Sequence, residues 1–276
     1  MNSSIDIDVS PSLATASMLG HTQCVKLLMK KENIDVNCLM LSDNNHRISS
    51  LWLASQNGHA KVVRALLKHA AIKVDLHPLE GALQGVTALY QAAAHNRTAV
   101  VALLLQHEGI NVNQAKTVAM NGKIRFITPL YVACVHDHHA VVQMLCSHKN
   151  IALNHGDEGY TALYIACQQN HVECVKILLQ DARLLPNRVC HNSLNSFETP
   201  LANAMVHQRV AIVEVFLRSG VDLRGNHWYR EKDDTTCLVC NVYELGRMFW
   251  HGTELKELTD LFQDYGYGGM REKKMV

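Results

Sequence analysis

The sequence predicts an all-α solenoid, in which helix-turn-helix units stack side by side and are joined by β-hairpin or loop fingers. Three observations predict this fold. A motif with an apolar anchor and a small residue three positions later recurs along the chain, as in TPLYVACVHDH (128–138) and TALYIACQQNH (161–171). Each copy is followed by an apolar run of helical period, such as CVKILL (174–179). A short extended piece then follows, such as IALN (151–154).

The motif occurs six times, and its anchors lie 38, 38, 41, 33 and 38 residues apart. A Ser or Thr before most anchors offers a side-chain oxygen that can cap the first helix. Pro129 and Pro200 suit a first helical turn, where the missing N–H costs nothing. One helix pair cannot bury its apolar face alone, so neighbouring copies must stack. The anchors are Leu13, Leu51, Leu89, Leu130, Leu163 and Leu201.

The composition fits a folded protein with a core of small and aliphatic residues. Of 276 residues, 48% are hydrophobic and only 6% are aromatic. The 26 basic and 25 acidic side chains give a formal net charge of +1, so the chain has no general attraction for nucleic acid or anionic membranes. No apolar run approaches the roughly 18–20 residues of a membrane-spanning helix, and the N-terminus does not resemble a signal peptide. We therefore expect a cytoplasmic protein with no membrane and no nucleic acid partner.

These features resemble the ankyrin repeat, whose signature is Thr-Pro-Leu-His-x-Ala in a unit of about 33 residues. The resemblance covers about residues 11–223, although aromatic residues often replace the histidine that follows the anchor. It implies six repeats, which we place at 11–48, 49–86, 87–127, 128–160, 161–198 and 199–223. Residues 1–10 and 266–276 are expected to be tails. Residues 224–265 are expected to form a degenerate C-terminal capping repeat, with two helices within 237–264.

The resemblance also implies hairpin fingers between consecutive repeats. Four fingers are longer than the fourth one along the chain, HGDEGY (155–160). Insertions in repeat proteins map to one face, which is often the binding face. The long fingers are the first (38–48), the second (76–86), the third (114–127) and the fifth (188–198).

The binding surface of such a stack is expected on its concave face, where fingers and first helices meet. An aromatic row borders this face, and the alternative interpretation is that its rings only brace the long fingers. Because Lys and Arg are scarce along the face, it suits a protein or peptide and not a phosphate backbone. The predicted partner-binding residues are Trp52, Gln56, Tyr90, His95, Arg125, Tyr131, His136, Tyr164, Gln168 and Phe197.

Candidate chemistry is sparse. Cys237 and Cys240 have the spacing of a zinc-ligand pair, but no second pair follows, and the start of a packed helix is the main interpretation. The run His136 to His139 looks catalytic, yet it occupies the break between two helices, where the family uses histidine to join neighbouring repeats. Asn37, Asn113 and Asn154 end their extended pieces. In the family such asparagines order the hairpins, and hydroxylation is the alternative.

The sequence therefore predicts a protein that is not an enzyme and needs no cofactor or metal. We expect a monomeric protein-interaction module that binds a protein or peptide partner, as an adaptor or as a host-directed effector. The alternative is a metal-dependent or enzymatic activity carried by residues 225–276, the only segment outside the repeats that is long enough for one.

Overall fold

The computed structural model describes residues 10–41, 46–79, 81–120, 123–156, 159–191, 196–223, 227–232, 236–241 and 251–265. The chain divides into two compact units, unit 1 (residues 1–151) and unit 2 (residues 152–276). Both are built mainly from short helices. No helix in the described ranges is long and apolar enough to cross a membrane.

Unit 1 contains four helix pairs in its described part, and the pairs stack in chain order. The first helices of the pairs pack against one another in one row, and the second helices pack in a parallel row. This is the predicted solenoid arrangement of helix-turn-helix repeats. The helices are α1 (Ser10–Met18), α2 (Thr22–Leu28), α3 (Ser50–Asn57), α4 (Ala60–Leu66), α5 (Ala88–Ala94), α6 (Thr98–Leu105), α7 (Pro129–Val135) and α8 (His139–Cys146).

The described part of unit 2 contains two further helix pairs and a C-terminal helix. The first helices α9 and α11 pack together, and the second helices α10 and α12 pack together. The C-terminal helix α13 packs against α12 through a face on which Leu258 and Phe262 are each only 3% exposed. Its position confirms the second helix predicted for the C-terminal segment. The helices are α9 (Ala162–Gln168), α10 (Val172–Leu179), α11 (Pro200–Val206), α12 (Val210–Arg218) and α13 (Gly252–Asp264).

The repeated motif forms the helices for the predicted reasons. The Thr87 hydroxyl accepts a hydrogen bond from the Tyr90 N–H at 3.2 Å, and the equivalent caps begin α3, α7, α9 and α11. Pro129 and Pro200 occupy the first helical turn. Within two residues after each first helix, the chain reaches a residue with positive φ, which is glycine in the first two pairs and a polar residue in the others. All six anchor leucines are at most 2% exposed.

The long fingers of unit 1 differ in structure. The first finger contains β1 (Leu39–Leu41) and β2 (Arg47–Ser49), and the third contains β3 (Lys116–Met120) and β4 (Lys123–Ile127). Both are antiparallel hairpins. The described part of the second finger has turns and no strand. There Gly85 has a φ of +78°, and a Cβ on it would lie 2.0 Å from the Ala115 carbonyl oxygen, so only glycine lets these fingers approach.

Unit 2 corrects one prediction, because residues 237–241 are not the start of a helix. They belong to a strand in a four-stranded antiparallel sheet with the order β5-β6-β7-β8. The sheet extends the fifth finger, since β7 pairs with β6 through Trp228 and Glu198. A finger hairpin has an open edge, and the C-terminal hairpin occupies it. The strands are β5 (Cys190–His191), β6 (Ser196–Glu198), β7 (His227–Lys232) and β8 (Thr236–Asn241), and residues 242–250 lie outside the described ranges.

Candidate partner-binding surface

A ladder of side-chain amides holds the bases of consecutive fingers in place. The Asn37 Nδ2 donates to the Ala71 carbonyl at 2.7 Å, and its Oδ1 accepts from the Lys73 N–H at 2.8 Å. Asn154 makes the same two bonds in unit 2, to Arg183 and Leu185, at 2.9 and 2.7 Å. These bonds confirm the predicted ordering role, whereas hydroxylation of the asparagines stays a prediction.

Asp75 occupies the ladder position in the second repeat and breaks the pattern. Its Oδ2 accepts a hydrogen bond from the Asn111 N–H at 2.8 Å. Its Oδ1 is buried and has no hydrogen-bond partner among the described residues. Burial raises the pKa of this carboxyl above its usual value, although the Asn111 N–H and then the charges of His107 and His77 oppose the increase. A carboxylate cannot donate the hydrogen bond that the asparagines donate here.

Basic side chains at the helix–helix breaks join neighbouring repeats. The His59 Nε2 lies 2.9 Å from the Met18 carbonyl oxygen, and the His138 Nε2 lies 3.1 Å from that of Ala94. Arg97 makes the equivalent bond to the Gln56 carbonyl at 2.9 Å. Because a carbonyl only accepts, the Nε2 of each histidine carries the proton. These contacts confirm the structural interpretation of the break histidines.

The aromatic row is mostly buried, which corrects part of the predicted surface. Trp52 is 5% exposed, Tyr90 is 8% exposed and Tyr164 is 0% exposed. The Trp52 Nε1 donates to the Val86 carbonyl at 3.1 Å, at the base of the second finger. Burial raises the pKa of Tyr90 to about 12. A partner cannot contact rings buried to this extent, so the structure favours the alternative that these three residues brace the fingers. Tyr131 is half-buried.

The remaining predicted residues of unit 1 reach the surface. His95 and His136 are exposed, and Gln56 and Arg125 are half-buried. The His95 Nδ1 lies 3.0 Å from the Gln91 carbonyl oxygen and must donate to it, so in the neutral ring Nε2 is left as an acceptor. The ring of His136 stacks on that of His138 with 5.7 Å between centroids. Gln56, His95 and His136 lie at or just after the ends of first helices that pack side by side, so they form a neutral strip. Arg125 lies apart from this strip, in β4 of the third finger.

The last two predicted partner-binding residues belong to unit 2, one in a helix and one in a strand. Gln168 ends α9 and is half-buried. Phe197 lies in β6, where its backbone pairs with Tyr229, and its side chain lies outside the described part of the chain.

Apolar side chains on the fingers of unit 1 were missed by the sequence analysis. Leu41 is 59% exposed on the first finger, Leu79 is 76% exposed on the second and Phe126 is 42% exposed on the third. The second and third fingers touch, because the Thr117 N–H donates to the Gln84 carbonyl at 3.3 Å. The sequence did contain a signal for Phe126. Side chains alternate between the two faces of a strand, so Phe126 lies on the face opposite to that of its neighbours in β4.

No metal centre is found among the described residues, where no group of three or more His, Cys, Asp and Glu side chains could hold an ion. The predicted candidate pair, Cys237 and Cys240, lies in β8, and its side chains are outside the described ranges.

Comparison with known proteins identifies the family. The family model "Ankyrin repeats (3 copies)" matches residues 13–116, 114–188 and 158–227, so the chain belongs to the ankyrin repeat family. Repeats of this family are generally protein–protein interaction modules, and proteins built from them are typically non-catalytic. A search of curated protein sequences gave no match.

Among solved structures, the chain is similar to the crystal structure of the human ASB11 ankyrin repeat domain. The two share 23% sequence identity and a TM-score of 0.58, over 84% of this chain and 90% of that one. At this identity the likeness concerns the fold alone.

Proposed function

We propose that this chain is a non-catalytic interaction module that binds a protein or peptide partner through the fingers and first-helix ends of unit 1. The observation that carries the proposal is the exposure of one large apolar side chain on each of three consecutive fingers, Leu41, Leu79 and Phe126. Fully burying such a side chain is worth about 1.5–3 kcal/mol. Because these side chains are still 42–76% exposed in the folded chain, a partner that covers them would gain part of this free energy.

The neutral strip supplies the polar part of the same surface. His95 offers a ring nitrogen as an acceptor, and the amide of Gln56 offers both donors and an acceptor. Exposed apolar side chains together with uncharged polar groups are typical of protein interfaces, in which charged residues are depleted at the centre. Such chemistry suits a peptide or protein surface better than a phosphate backbone.

Affinity capture with the full-length chain tests this function. The variant Leu41→Ser/Leu79→Ser/Phe126→Ser changes only exposed side chains, so it is expected to fold and to lose the proteins captured by the wild type. The control is Leu185→Ser, because Leu185 is 60% exposed but lies in unit 2. Each protein lost by the triple variant and kept by the control is then purified and titrated directly. An unchanged captured set for the triple variant would contradict the proposed surface.

An adaptor must hold two partners at once and therefore needs a second surface. The finger surface alone makes the chain a binding module. We therefore propose the adaptor role only if the chain has a second binding site. A host-directed effector needs no binding site beyond the finger surface.

A further inference from the structure

The second helices α2 and α4 of unit 1 border a groove of about 490 Å³. Small and apolar residues, among them Met29, Ala60 and Ala65, form part of its lining. The rest of the lining is mainly basic, and all of its charged side chains are exposed: Lys26, Lys30, Lys61, Arg64 and Lys68. The groove thus combines apolar contact area with five positive charges.

The helical period aligns these charges in two rows. Lys26 and Lys30 are four residues apart on α2 and its C-terminal turn, so they share one face of the helix. Lys61, Arg64 and Lys68 share a face of α4 and its C-terminal turn in the same way. Because α2 packs against α4, both rows border the same groove.

No acidic side chain of the described residues neutralises the groove. None of the five basic residues forms an ion pair in the described part of the chain, and no acidic residue contributes to the lining. Five like charges at such spacing repel one another and destabilise the fold slightly. Charge repulsion among these residues is thus a small cost to stability, and an anionic ligand would relieve it.

The row of cations on α4 is not repeated on the next second helix, α6. The next repeat begins 38 residues later. Its positions equivalent to Lys61, Arg64 and Lys68 are Ala99, Ala102 and Gln106, in and just after α6. The repeat architecture therefore does not require cations at these positions. Farther along the chain, Lys176 in α10 and Arg218 in α12 are equivalent to Lys26 and Lys68, but each forms an ion pair within its own helix, with Glu173 and Glu214.

We propose that this groove binds an acidic segment of a partner protein, with apolar side chains between its carboxylates. Charge complementarity argues for an anion, and the apolar lining argues for a peptide. A single phosphate group would engage two or three of the cations and leave the apolar lining uncovered. An acidic peptide would use both, since its carboxylates can reach the two rows while its apolar side chains cover Met29 and Ala65. This site is separate from the finger surface, so either can fail without the other.

Fluorescence anisotropy with the full-length chain tests the site. The probe is a fluorescein-labelled peptide of repeating Asp-Leu-Glu, about ten residues long, which when extended is longer than the row from Lys61 to Lys68 on a helix. Arg64→Glu is expected to weaken binding at least about tenfold, because it removes one attraction and adds a repulsion. The control Lys73→Glu makes the same charge change at an exposed position outside the groove and is expected to shift the affinity less than about twofold.

A matched peptide with Asn and Gln in place of Asp and Glu is expected not to bind. Lys68→Glu repeats the test if Arg64→Glu does not fold. Equal binding by the wild type and both groove variants would overturn the proposal. Tighter binding of inositol hexakisphosphate or a DNA duplex, with the same loss in Arg64→Glu, would overturn it in favour of a phosphate ligand. A dimer in light scattering that Arg64→Glu dissociates would assign the groove to a second copy of the chain.

Discussion

At the scale of single residues, the finger ladder depends on a side chain that both donates and accepts. Asn37 and Asn154 do both with good geometry, at 2.7–2.9 Å. Asp75 accepts one bond, and its buried Oδ1 has no hydrogen-bond partner among the described residues. A buried acceptor without a partner costs stability, and the cost is larger when the group is charged. The second repeat is therefore the weakest rung of the ladder described here.

We predict that Asp75→Asn stabilises the protein by about 1 kcal/mol near neutral pH, which is the net value of one typical hydrogen bond. The folded-state pKa of Asp75 is raised, so the carboxylate costs stability above that pKa and the cost disappears as the pH falls through it. The gain from Asp75→Asn should therefore shrink in acid. Urea unfolding of both proteins at several pH values measures this.

The matched control is Asn37→Asp, which removes the donor from an intact rung and is expected to destabilise by a similar amount near neutral pH. A gain from Asp75→Asn that stays constant from neutral to acidic pH would show that the carboxylate charge is not the cause.

At the scale of elements, one buried polar cluster connects two helices to the fifth finger in unit 2. The Tyr164 hydroxyl donates to the Glu198 Oε1 at 2.6 Å, and the Asn203 Nδ2 donates to the same oxygen at 3.0 Å. Glu198 lies at the end of β6 and is 3% exposed. At the equivalent position, the last residue of the second repeat, the chain has the apolar Val86. Burial, and then the charge of Glu198, raises the pKa of the Tyr164 hydroxyl, which keeps it protonated as a donor.

We predict that Tyr164→Phe destabilises unit 2 by about 1.5–3 kcal/mol, because a buried carboxylate loses a charge-assisted hydrogen bond. Chemical unfolding gives the size of the loss, and hydrogen exchange should place it in β6 and α11. Tyr90→Phe is the control in unit 1. Tyr90 is also buried, but its hydroxyl makes no hydrogen bond within the described residues, so a much smaller loss is expected. Equal losses in the two variants would argue against the Glu198 bond.

At the scale of the whole molecule, stability is expected to be a sum of contacts between neighbouring repeats. The described C-terminal elements contact the fifth finger and the last helix pair. Strand β7 pairs with β6, helix α13 packs on α12, and the Arg218 Nε donates to the Tyr265 hydroxyl at 2.7 Å. The segment after residue 223 therefore acts as a cap on the end of unit 2.

We predict that truncation after residue 223 loosens the last helix pair of unit 2 first. Removing the cap exposes the edge of β6 and the apolar face of α12. Hydrogen exchange should show lost protection in α12 and β6 before α9 and α10. A chain that ends at residue 265 keeps every described element and is the control. Equal loss in all four helices and in β6 would contradict nearest-neighbour stability.

The sequence by itself determined the repeat and its helices. Caps, prolines and anchor leucines are local signals, and six copies of them reinforce one another. The ladder asparagines and the histidines at the helix breaks were also predictable, because the resemblance to the ankyrin repeat assigned them roles. The C-terminal strand β8 was not predictable in this way. Residues 237–241 are apolar enough for a helix, and only pairing with β7, which itself pairs with the fifth finger, makes them a strand.

The tertiary structure alone decided which side chains a partner can reach. Trp52 and Tyr164 lie at the same motif position as the half-exposed Tyr131, yet contacts with the next finger bury both of them. Burial depends on how far each finger folds over the preceding helix, which local sequence does not specify. The same holds for charge. A net charge of +1 describes the whole chain, whereas the packing of α2 against α4 collects five cations around one groove.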